Sequence, residues 1–279
     1  MTLAISELFS VAGKVAIVTG GSRGIGRMIA EGFVENGVKT YITARKAEAC
    51  LATAEELSNA KKGECIALPA DLSTKQGREA FVSEITAREK KIDILVNNAG
   101  AAWGAPFEDY PDEGYDKVMD INVKAIFTLT RDLMPLLKNG ASQQNPSRVI
   151  NIGSIDGLRV STMDNFAYGA SKAAVAHFLE SMKADLKSMD IDVSLVSPGF
   201  VKTPLTDVND FPMPMRISAE RAAEEIVKGV EKRQWHIHFP KGFTRILWFV
   251  GQLPAFLRHR ITAQMSRTDE ALQKQESDS

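Results

Sequence analysis

Short apolar runs alternate with longer amphipathic segments through most of the chain. A strand buried on both faces is apolar throughout, whereas a surface helix is apolar along one side, so the runs predict strands and the segments predict helices. Strands separated by helices of this length need right-handed crossovers, which predicts an α/β fold with a doubly wound parallel sheet in a three-layer α/β/α arrangement. The predicted strands are 14–19, 38–43, 65–68, 92–96, 148–152 and 191–196, and the predicted helices are 24–36, 46–60, 74–90, 114–137 and 165–188.

The pattern becomes less regular towards the C-terminus. A helix is predicted at 218–232, and strict alternation over 235–239 is typical of a half-exposed strand, which Pro240 ends. An apolar segment over 243–263 follows, and residues 266–279 are polar enough to be disordered. We therefore predict one domain over residues 1–242, with a loop at about 203–217, and a helical C-terminal extension with a polar tail over 243–279.

Composition and charge limit the classes of partner and the cellular compartment that we expect. The chain has 279 residues and a formal net charge of −1, so it has no general attraction for nucleic acid or an anionic membrane. Cys50 and Cys65 have neither metal-ligand spacing nor a disulfide framework, and no secretion signal or spanning segment is evident. His236 and His238 share one face of a strand, but no third metal ligand accompanies them. We expect a cytoplasmic protein without a metal.

A glycine-rich turn, Thr19-Gly-Gly-Ser-Arg-Gly-Ile-Gly26, joins the first predicted strand to the first predicted helix. Glycines allow the backbone to approach a pyrophosphate, and the amides and dipole at the start of a helix favour an anion. The strand–turn–helix context predicts a dinucleotide site, with a turn that binds nothing as the alternative. The candidate cofactor-binding residues of the turn are Gly20, Ser22, Arg23, Gly24, Ile25 and Gly26.

The end of the second strand indicates which dinucleotide is bound. An acidic residue there would hydrogen-bond a ribose 2′-hydroxyl, but this chain has Ala44, Arg45 and Lys46, with no carboxylate before Glu48. A guanidinium pairs well with a phosphate, so Arg45, Lys46 and the nearby Arg23 favour NADP(H) over NAD(H). The alternative is that Arg45 and Lys46 are solvated charges at the start of a helix.

A tyrosine and a lysine, Tyr168 and Lys172, lie four residues apart in the predicted helix 165–188. This spacing places both side chains on one face, where the ammonium would favour the phenolate and lower a tyrosine pKa that is otherwise about 10. The pair then predicts a proton donor and acceptor that works near neutral pH. The alternative is an exposed lysine beside a half-buried tyrosine.

Together with further motifs, these features resemble the classical short-chain dehydrogenase/reductase family over roughly residues 11–205. The motifs are the glycine turn, Ala70-Asp71-Leu72, Asn97-Asn98-Ala99-Gly100, Asp120-Ile-Asn122-Val, Ile152-Gly-Ser154-Ile, Tyr168 with Lys172, and Ser197-Pro-Gly-Phe-Val-Lys-Thr203. The resemblance implies a Rossmann fold and an NADP(H)-dependent oxidoreductase that interconverts a ketone or aldehyde and an alcohol.

The resemblance also implies roles for single residues. Asn122, Ser154, Tyr168 and Lys172 occupy the positions of the catalytic tetrad. Tyr168 would exchange a proton with the carbonyl oxygen, to which Ser154 would hydrogen-bond. Lys172 would hold the tyrosine pKa down and contact the nicotinamide ribose, and Asn122 would anchor a water in a proton relay. The other positions implied to line the cofactor are Asp71, Leu72, Asn98, Ala99, Gly100, Pro198, Gly199, Val201 and Thr203, together with Tyr168 and Lys172.

Two departures from the family pattern stand out. Ser154 and Tyr168 are fourteen positions apart, one more than the commonest family interval, while Ser161 lies too close to the tyrosine and lacks the strand-end context. The glycine-bearing strand that often closes shorter members is missing, and residues 235–241 with a longer tail stand in its place. We expect a homodimer or homotetramer.

The expected substrate side is apolar. The candidate residues are Trp103, Phe107, Ile155, Leu158, Met163 and Phe166, with Ser154 and Tyr168 at the reacting group and Phe211 in a loop that could close as a lid. The alternative is that half of them only pack the core. These residues favour a small to medium apolar ketone or aldehyde. A 3-oxoacyl thioester or a sugar stays open as the substrate, as does a non-catalytic regulator that binds NADP.

The C-terminal segment allows two interpretations. The apolar run from Ile246 to Leu257 is flanked by Arg245, Arg258 and Arg260, a pattern that a membrane-interface segment also shows. Packing against the substrate loop or another subunit is the favoured account.

Overall fold

The computed structural model describes residues 11–59, 62–157, 166–202, 206, 213 and 215–263. Its centre is a seven-stranded parallel sheet in the order β3-β2-β1-β4-β5-β6-β7. Helices pack on both faces, which confirms the doubly wound α/β fold. The strands are β1 (Val15–Thr19), β2 (Lys39–Thr43), β3 (Glu64–Ala67), β4 (Ile94–Asn97), β5 (Ser147–Ile152), β6 (Ile191–Pro198) and β7 (His236–Phe239).

The helices connect these strands and continue beyond the last one. They are α1 (Gly24–Glu35), α2 (Ala47–Ser58), α3 (Lys75–Arg88), α4 (Asp112–Met119), α5 (Ala125–Asp132), α6 (Met134–Gly140), α7 (Phe166–Lys187), α8 (Ala219–Glu231), α9 (Lys241–Gln252) and α10 (Ala255–Ala263). A π-helical turn at Asp120–Lys124 separates α4 from α5, and a 3₁₀ turn at Ile155–Gly157 follows β5.

Alternate side chains of β1 pack into two hydrophobic cores, one on each face of the sheet. Ala16 and Val18 point to the face covered by α1 and α8, while Val15 and Ile17 point to the face covered by α3, α5 and α7. All five residues of β1 are buried, as a strand between two helical layers requires. The continuous apolar runs of the sequence therefore correspond to strands that are covered on both sides.

The predicted helix over 114–137 is confirmed as helical over most of its length: the backbone is helical without a break from Asp112 to Asp132, and Leu133 separates this part from α6. The structure divides this stretch into α4, the π-helical turn, α5 and α6. Pro135 lies in the first turn of α6, where its missing N–H costs no hydrogen bond. In the interior of a continuous helix the same proline would remove one backbone hydrogen bond. The extra residue of the π turn buries Asn122 completely.

The apolar segment at 243–263 forms two helices, which separate at Leu253 and Pro254. The half-exposed strand predicted at 235–239 is β7, and it extends the sheet beside β6 in parallel register. No helix in the described part of the chain is both long and apolar enough to cross a bilayer. The predicted polar tail at 266–279 lies outside the described residues.

Candidate active site

The strand order reverses between β1 and β4, and the chain leaves these neighbours towards opposite faces of the sheet. Ligands of open α/β sheets bind in the crevice beyond the carboxyl ends of strands at such a switch point. Two of the predicted motifs lie within the carboxyl ends of strands, Thr19 in β1 and Ser197 in β6. Two others follow such ends, Asn98 after β4 and Ser154 after β5. The topology therefore brings residues that are far apart in sequence to one edge of the sheet.

The glycine turn after β1 leaves no room for side chains. A Cβ at Gly20 would lie 2.9 Å from the Asn98 amide nitrogen, and one at Gly26 would lie closer still. Gly20 and Gly24 also adopt positive φ values of 66° and 55°, which favour glycine. These glycines therefore have packing and conformational reasons to be glycine, and they keep the backbone of the turn open to a ligand.

Hydrogen bonds tie the turn to the end of β4. The Thr19 hydroxyl donates to the Val96 carbonyl at 3.2 Å and accepts from the amides of Asn98 and Ala99, both at 2.9 Å. The Asn98 side-chain amide donates to the carbonyls of Thr19 and Gly20 at 2.8 and 3.2 Å. Asn98 therefore fixes the shape of the glycine turn.

The start of α1 suits an anion. Its N-cap residue, Arg23, makes no side-chain cap hydrogen bond, so its first amides have no capping side chain. The exposed Arg23 side chain adds a positive charge there. Exposed Arg45 and Lys46 follow β2, the strand next to β1. The arrangement fits a dinucleotide with an additional phosphate.

Asp71 follows β3 beside these cations. Burial acts to raise its pKa, but hydrogen bonds from the amide and hydroxyl of Ser73 and the charges of Arg45 and Lys117 outweigh it, so the pKa of Asp71 is lowered. Leu72 is different: its side chain packs in the core and its carbonyl accepts from Arg78 at 2.9 Å. A cofactor contact of Leu72 therefore has to use its backbone amide.

Asn122 uses its side chain to hold two elements together. Its amide nitrogen donates to the Ala101 carbonyl at 2.9 Å and to the Ser171 hydroxyl at 3.0 Å, and its oxygen accepts from the Ala101 amide at 2.9 Å. Both amide protons are thus taken by protein atoms. The side chain positions α7 and the loop after β4, and a water in the expected relay would have to be held mainly by backbone atoms of the π turn.

The structure brings Ser154, Tyr168 and Lys172 together. Ser154 follows β5 and hydrogen-bonds Tyr168, so the extra residue between the two positions does not separate them. The Lys172 ammonium lies 5.6 Å from the centre of the Tyr168 ring and donates to the Ile152 carbonyl at 2.9 Å. The three side chains form a compact group between β5 and α7.

The pKa values in this group correct one expectation. Burial raises the pKa of Tyr168 to about 12, the hydrogen bond with Ser154 acts to lower it, and the Asp156 carboxylate raises it further. Burial also lowers the pKa of Lys172 to about 8. Tyr168 as a whole residue is partly exposed, while desolvation is the largest influence on the pKa of its hydroxyl. Lys172 therefore does not lower the tyrosine pKa below its usual value.

The turn after β6 offers mainly backbone to a ligand. Pro198 is buried, and the Gly199 amide donates to the Phe239 carbonyl at 2.7 Å. The Val201 side chain is in the core and its carbonyl accepts from the Thr206 hydroxyl, so its amide is the group left for a cofactor contact. Thr203 and Phe211 lie outside the described residues, as do Ser161 and the candidate substrate residues Leu158 and Met163.

Aromatic side chains cluster where the loop before α4 meets the start of α7. Phe166 stacks edge-on against Phe107 and Tyr110, with ring centres 5.3 and 5.7 Å apart. Trp103 packs over Gly114, and the Lys117 ammonium lies 5.3 Å from the centre of its ring. Phe107 is 81% exposed, which suits a contact with a ligand rather than the core. Sequence reasoning missed Tyr110, whose only signal was an aromatic residue near Trp103.

Ile155 does not belong to this cluster. It is 9% exposed and packs with Phe243 and Leu247 of α9, next to Phe200. Phe200 and Phe243 have ring centres 5.8 Å apart. Ile155 anchors the C-terminal helix beside Ser154, and its substrate contact stays a prediction. The sequence carried no signal for this pairing, since the partners are almost ninety residues apart.

The histidines of β7 have hydroxyl partners. His236 hydrogen-bonds Ser197 at 2.9 Å, and His238 hydrogen-bonds Thr244 at 2.6 Å. Within the residues that the structure describes, no group of three or more histidine, cysteine or acidic side chains is arranged to hold a metal ion.

Comparison with known proteins identifies the family. A family model described as short chain dehydrogenase matches residues 14–211. The chain is 47% identical over 191 residues to the rhamnolipids biosynthesis 3-oxoacyl-[acyl-carrier-protein] reductase of Pseudomonas aeruginosa, over 68% of this chain and 74% of that protein. It is 34% identical over 197 residues to a 3-oxoacyl-[acyl-carrier-protein] reductase of Vibrio cholerae, over 70% of this chain and 76% of that protein.

A solved structure agrees with these relatives. The Pseudomonas aeruginosa RhlG/NADP active-site complex matches with a TM-score of 0.79 and 38% identity, over 86% of this chain and 99% of that chain. The chain therefore belongs to the short-chain dehydrogenase family, and it is an oxidoreductase.

Proposed function

We propose that this protein is an NADPH-dependent reductase of a 3-oxoacyl thioester or a closely similar apolar ketone. The observation that carries the proposal is the group formed by Ser154, Tyr168 and Lys172 at the carboxyl end of β5. A proton donor, a second hydroxyl and a buried ammonium at one place are what reduction of a carbonyl needs from a protein.

The cofactor site is proposed on the residues that fit a phosphorylated dinucleotide. The Cβ-free turn at Gly20 and Gly26 and the open start of α1 would hold the pyrophosphate. Exposed Arg45, with Lys46 and Arg23, would pair with the 2′-phosphate. Three solved relatives at 25–38% identity are complexes with NADP or NADPH, which supports this choice. When bound, NADPH supplies the hydride for the carbonyl carbon.

Side chains of the protein donate the proton to the carbonyl oxygen and stabilise the charges that form. Because burial raises the pKa of Tyr168 to about 12, its hydroxyl is protonated at neutral pH and can donate to the carbonyl oxygen. Ser154, already hydrogen-bonded to that hydroxyl, donates to the same oxygen as charge grows on it. The Lys172 ammonium stabilises the phenolate left behind, from one helical turn away.

The substrate class is proposed from two observations. The relatives from Pseudomonas aeruginosa and Vibrio cholerae are both named as reductases of 3-oxoacyl groups on acyl carrier protein. Where the loop before α4 meets the start of α7, the edge-stacked Phe107, Tyr110 and Phe166 present an aromatic surface that suits an acyl chain better than a sugar.

A substrate panel tests the proposal. Initial rates with NADPH are measured by absorbance for 3-oxoacyl thioesters of several chain lengths, simple ketones, an aldehyde and a ketose, each repeated with NADH. We expect a 3-oxoacyl thioester to have the highest kcat/KM, by about tenfold or more over the ketose, and NADPH to be preferred. A ketose as the best substrate would contradict the substrate class. Tight NADPH binding without turnover of any carbonyl would contradict the enzyme.

We further propose a cytoplasmic homo-oligomer. Cys50 and Cys65 are buried free thiols, which suits a reducing compartment. Exposed Phe127 of α5 stacks edge-on against Phe178 of α7 with ring centres 6.2 Å apart, which suits a helix-to-helix subunit contact. Light scattering after size-exclusion chromatography measures the mass, and a monomer at micromolar concentration would contradict this proposal.

A further inference from the structure

Helix α9 has apolar residues on two sides. Phe243, Leu247 and Gly251 are buried at helical spacing and fix the helix to the domain. Ile246, Trp248 and Phe249 are 56%, 59% and 64% exposed. The buried side already anchors the helix, so attachment to the domain does not account for this second apolar side.

Helix α10 continues the exposed surface. Phe256, Leu257 and Ile261 are exposed, and no α10 residue whose burial is described is buried. Six of the twelve large apolar side chains exposed in the described part of the chain lie on these two helices. Concentrated apolar exposure of this kind marks an interaction surface, and we call Ile246, Trp248, Phe249, Phe256, Leu257 and Ile261 the α9–α10 face.

Positive charge surrounds the α9–α10 face. Residues 232–263 contain six lysine or arginine residues and no aspartate or glutamate, although the whole chain has a net charge of −1. A groove of about 370 Å³ between α8, β7 and α9 is lined by Lys232, Lys241 and Arg245. Its acidic residue, Glu225, already pairs with Arg221 at 2.7 Å. The groove therefore suits an anionic group.

The charge pattern decides between possible occupants. In a two-fold contact with a second copy, the same surface meets itself, so the arginines around the face would lie against arginines. An anionic phospholipid surface instead offers phosphates to the cations and an apolar boundary to the side chains. Tryptophan is enriched at that boundary because its ring is apolar with one polar group. Exposed aromatic residues beside arginine thus fit a lipid interface better than a second copy.

We propose that the α9–α10 face binds an anionic phospholipid surface, with Trp248 and Phe249 inserted at the headgroup boundary and Arg245 and its neighbours against the phosphates. The helices lie on the surface and do not cross it, since neither has the length for spanning. This binding is independent of the reaction and of the proposed function, because none of these residues belongs to the group around Tyr168.

Vesicle flotation of the full chain is the test. Vesicles of pure phosphatidylcholine are compared with vesicles containing phosphatidylglycerol, at low and high salt. We expect flotation with the anionic vesicles only, and its loss at high salt. In the same samples, Trp248 emission should shift to the blue, measured as the difference between wild type and Trp248→Phe.

Matched variants distinguish binding through the α9–α10 face from nonspecific adsorption to vesicles. Trp248→Ala with Phe249→Ala should lower the vesicle partition coefficient by about tenfold or more, because both rings lose their insertion. Ile246→Ala should weaken binding, whereas Leu51→Ala on α2, which is equally 56% exposed, should not. Arg245→Gln should lower the vesicle partition coefficient by about fivefold, whereas Arg88→Gln on α3 should not change it measurably.

Three results would overturn the proposal. The first is wild type that does not float with anionic vesicles. The second is equal flotation of wild type and the Trp248→Ala, Phe249→Ala variant. The third is that the double variant lowers the oligomeric mass in sedimentation and leaves flotation unchanged, which would assign the face to a second copy. Turnover of a water-soluble carbonyl by the double variant should stay within about twofold of wild type, so a failed reaction and a failed membrane contact are distinguished.

Discussion

At the scale of single residues, burial controls the candidate proton donor. The Tyr168 hydroxyl and the Lys172 ammonium are both desolvated, which raises the pKa of the tyrosine to about 12 and lowers that of the lysine to about 8. The four-residue spacing predicted that the two side chains meet, and they do. The direction of the tyrosine shift could not be predicted, because spacing gives neighbours and not the amount of water around them.

A pH dependence follows for Lys172. Its folded pKa is lowered to about 8, so the ammonium is present below that pH and lost above it. If the ammonium stabilises the phenolate, kcat/KM for NADPH in the reductive direction stays constant from pH 7 to about 8 and then falls by about tenfold per unit. Lys172→Met should lower the rate and remove this inflection. A flat wild-type profile up to pH 10 would show that the charge on Lys172 has no part in the reaction.

Arg45 is expected to set the cofactor preference. An exposed guanidinium that meets a 2′-phosphate makes a charge-assisted contact, so Arg45→Ala should lower kcat/KM for NADPH by about tenfold to a hundredfold. The value for NADH, which lacks that phosphate, should change by less than about twofold. Arg88→Ala on α3, where the arginine pairs with Glu84, is the control for removing an exposed arginine. Equal losses with both cofactors would place the 2′-phosphate elsewhere.

At the scale of elements, the sequence predicted every strand of the sheet but joined α4, α5 and α6 into one helix. The helix continues through the π turn, since the residues on either side keep right-handed helical dihedrals. Nothing in the sequence indicated the π turn, where Asn122 bonds the Ala101 backbone and Ser171, neither of which is near it in sequence. The C-terminal helices were predicted as one apolar segment, and their attachment through Ile155 could not be read from it.

The attachment of α9 gives a stability prediction. Phe243 is 8% exposed in the cluster with Ile155 and Leu247, so Phe243→Ala should lower the free energy of unfolding by about 3 kcal/mol. Trp248→Ala, on the exposed side of the same helix, should change it by no more than about 0.5 kcal/mol. Urea denaturation of the two variants measures the difference. Equal losses would mean that α9 is not held by its buried side.

At the scale of the whole molecule, the parallel strand order is what assembles the site. The motifs of the sequence are spread over residues 19–203, and the sheet brings those that follow or end a strand to its carboxyl edge, while Asn122, Tyr168 and Lys172 come from helical segments. This much was predictable from the order of strands and motifs. The substrate side was less so: Phe107 and Phe166 lie in the aromatic cluster, while Ile155 packs against α9, because contacts between distant segments are not encoded in local pattern.

The most direct test is turnover and cofactor binding by Tyr168→Phe, which removes only the hydroxyl. We expect NADPH to bind with nearly unchanged Kd, measured by fluorescence titration, while kcat for carbonyl reduction falls by about a thousandfold or more. Tyr41→Phe on β2, which removes a hydroxyl bonded to Glu89 at 2.6 Å, is the matched control and should retain most activity. Near wild-type turnover by Tyr168→Phe would contradict the central claim that this hydroxyl transfers the proton.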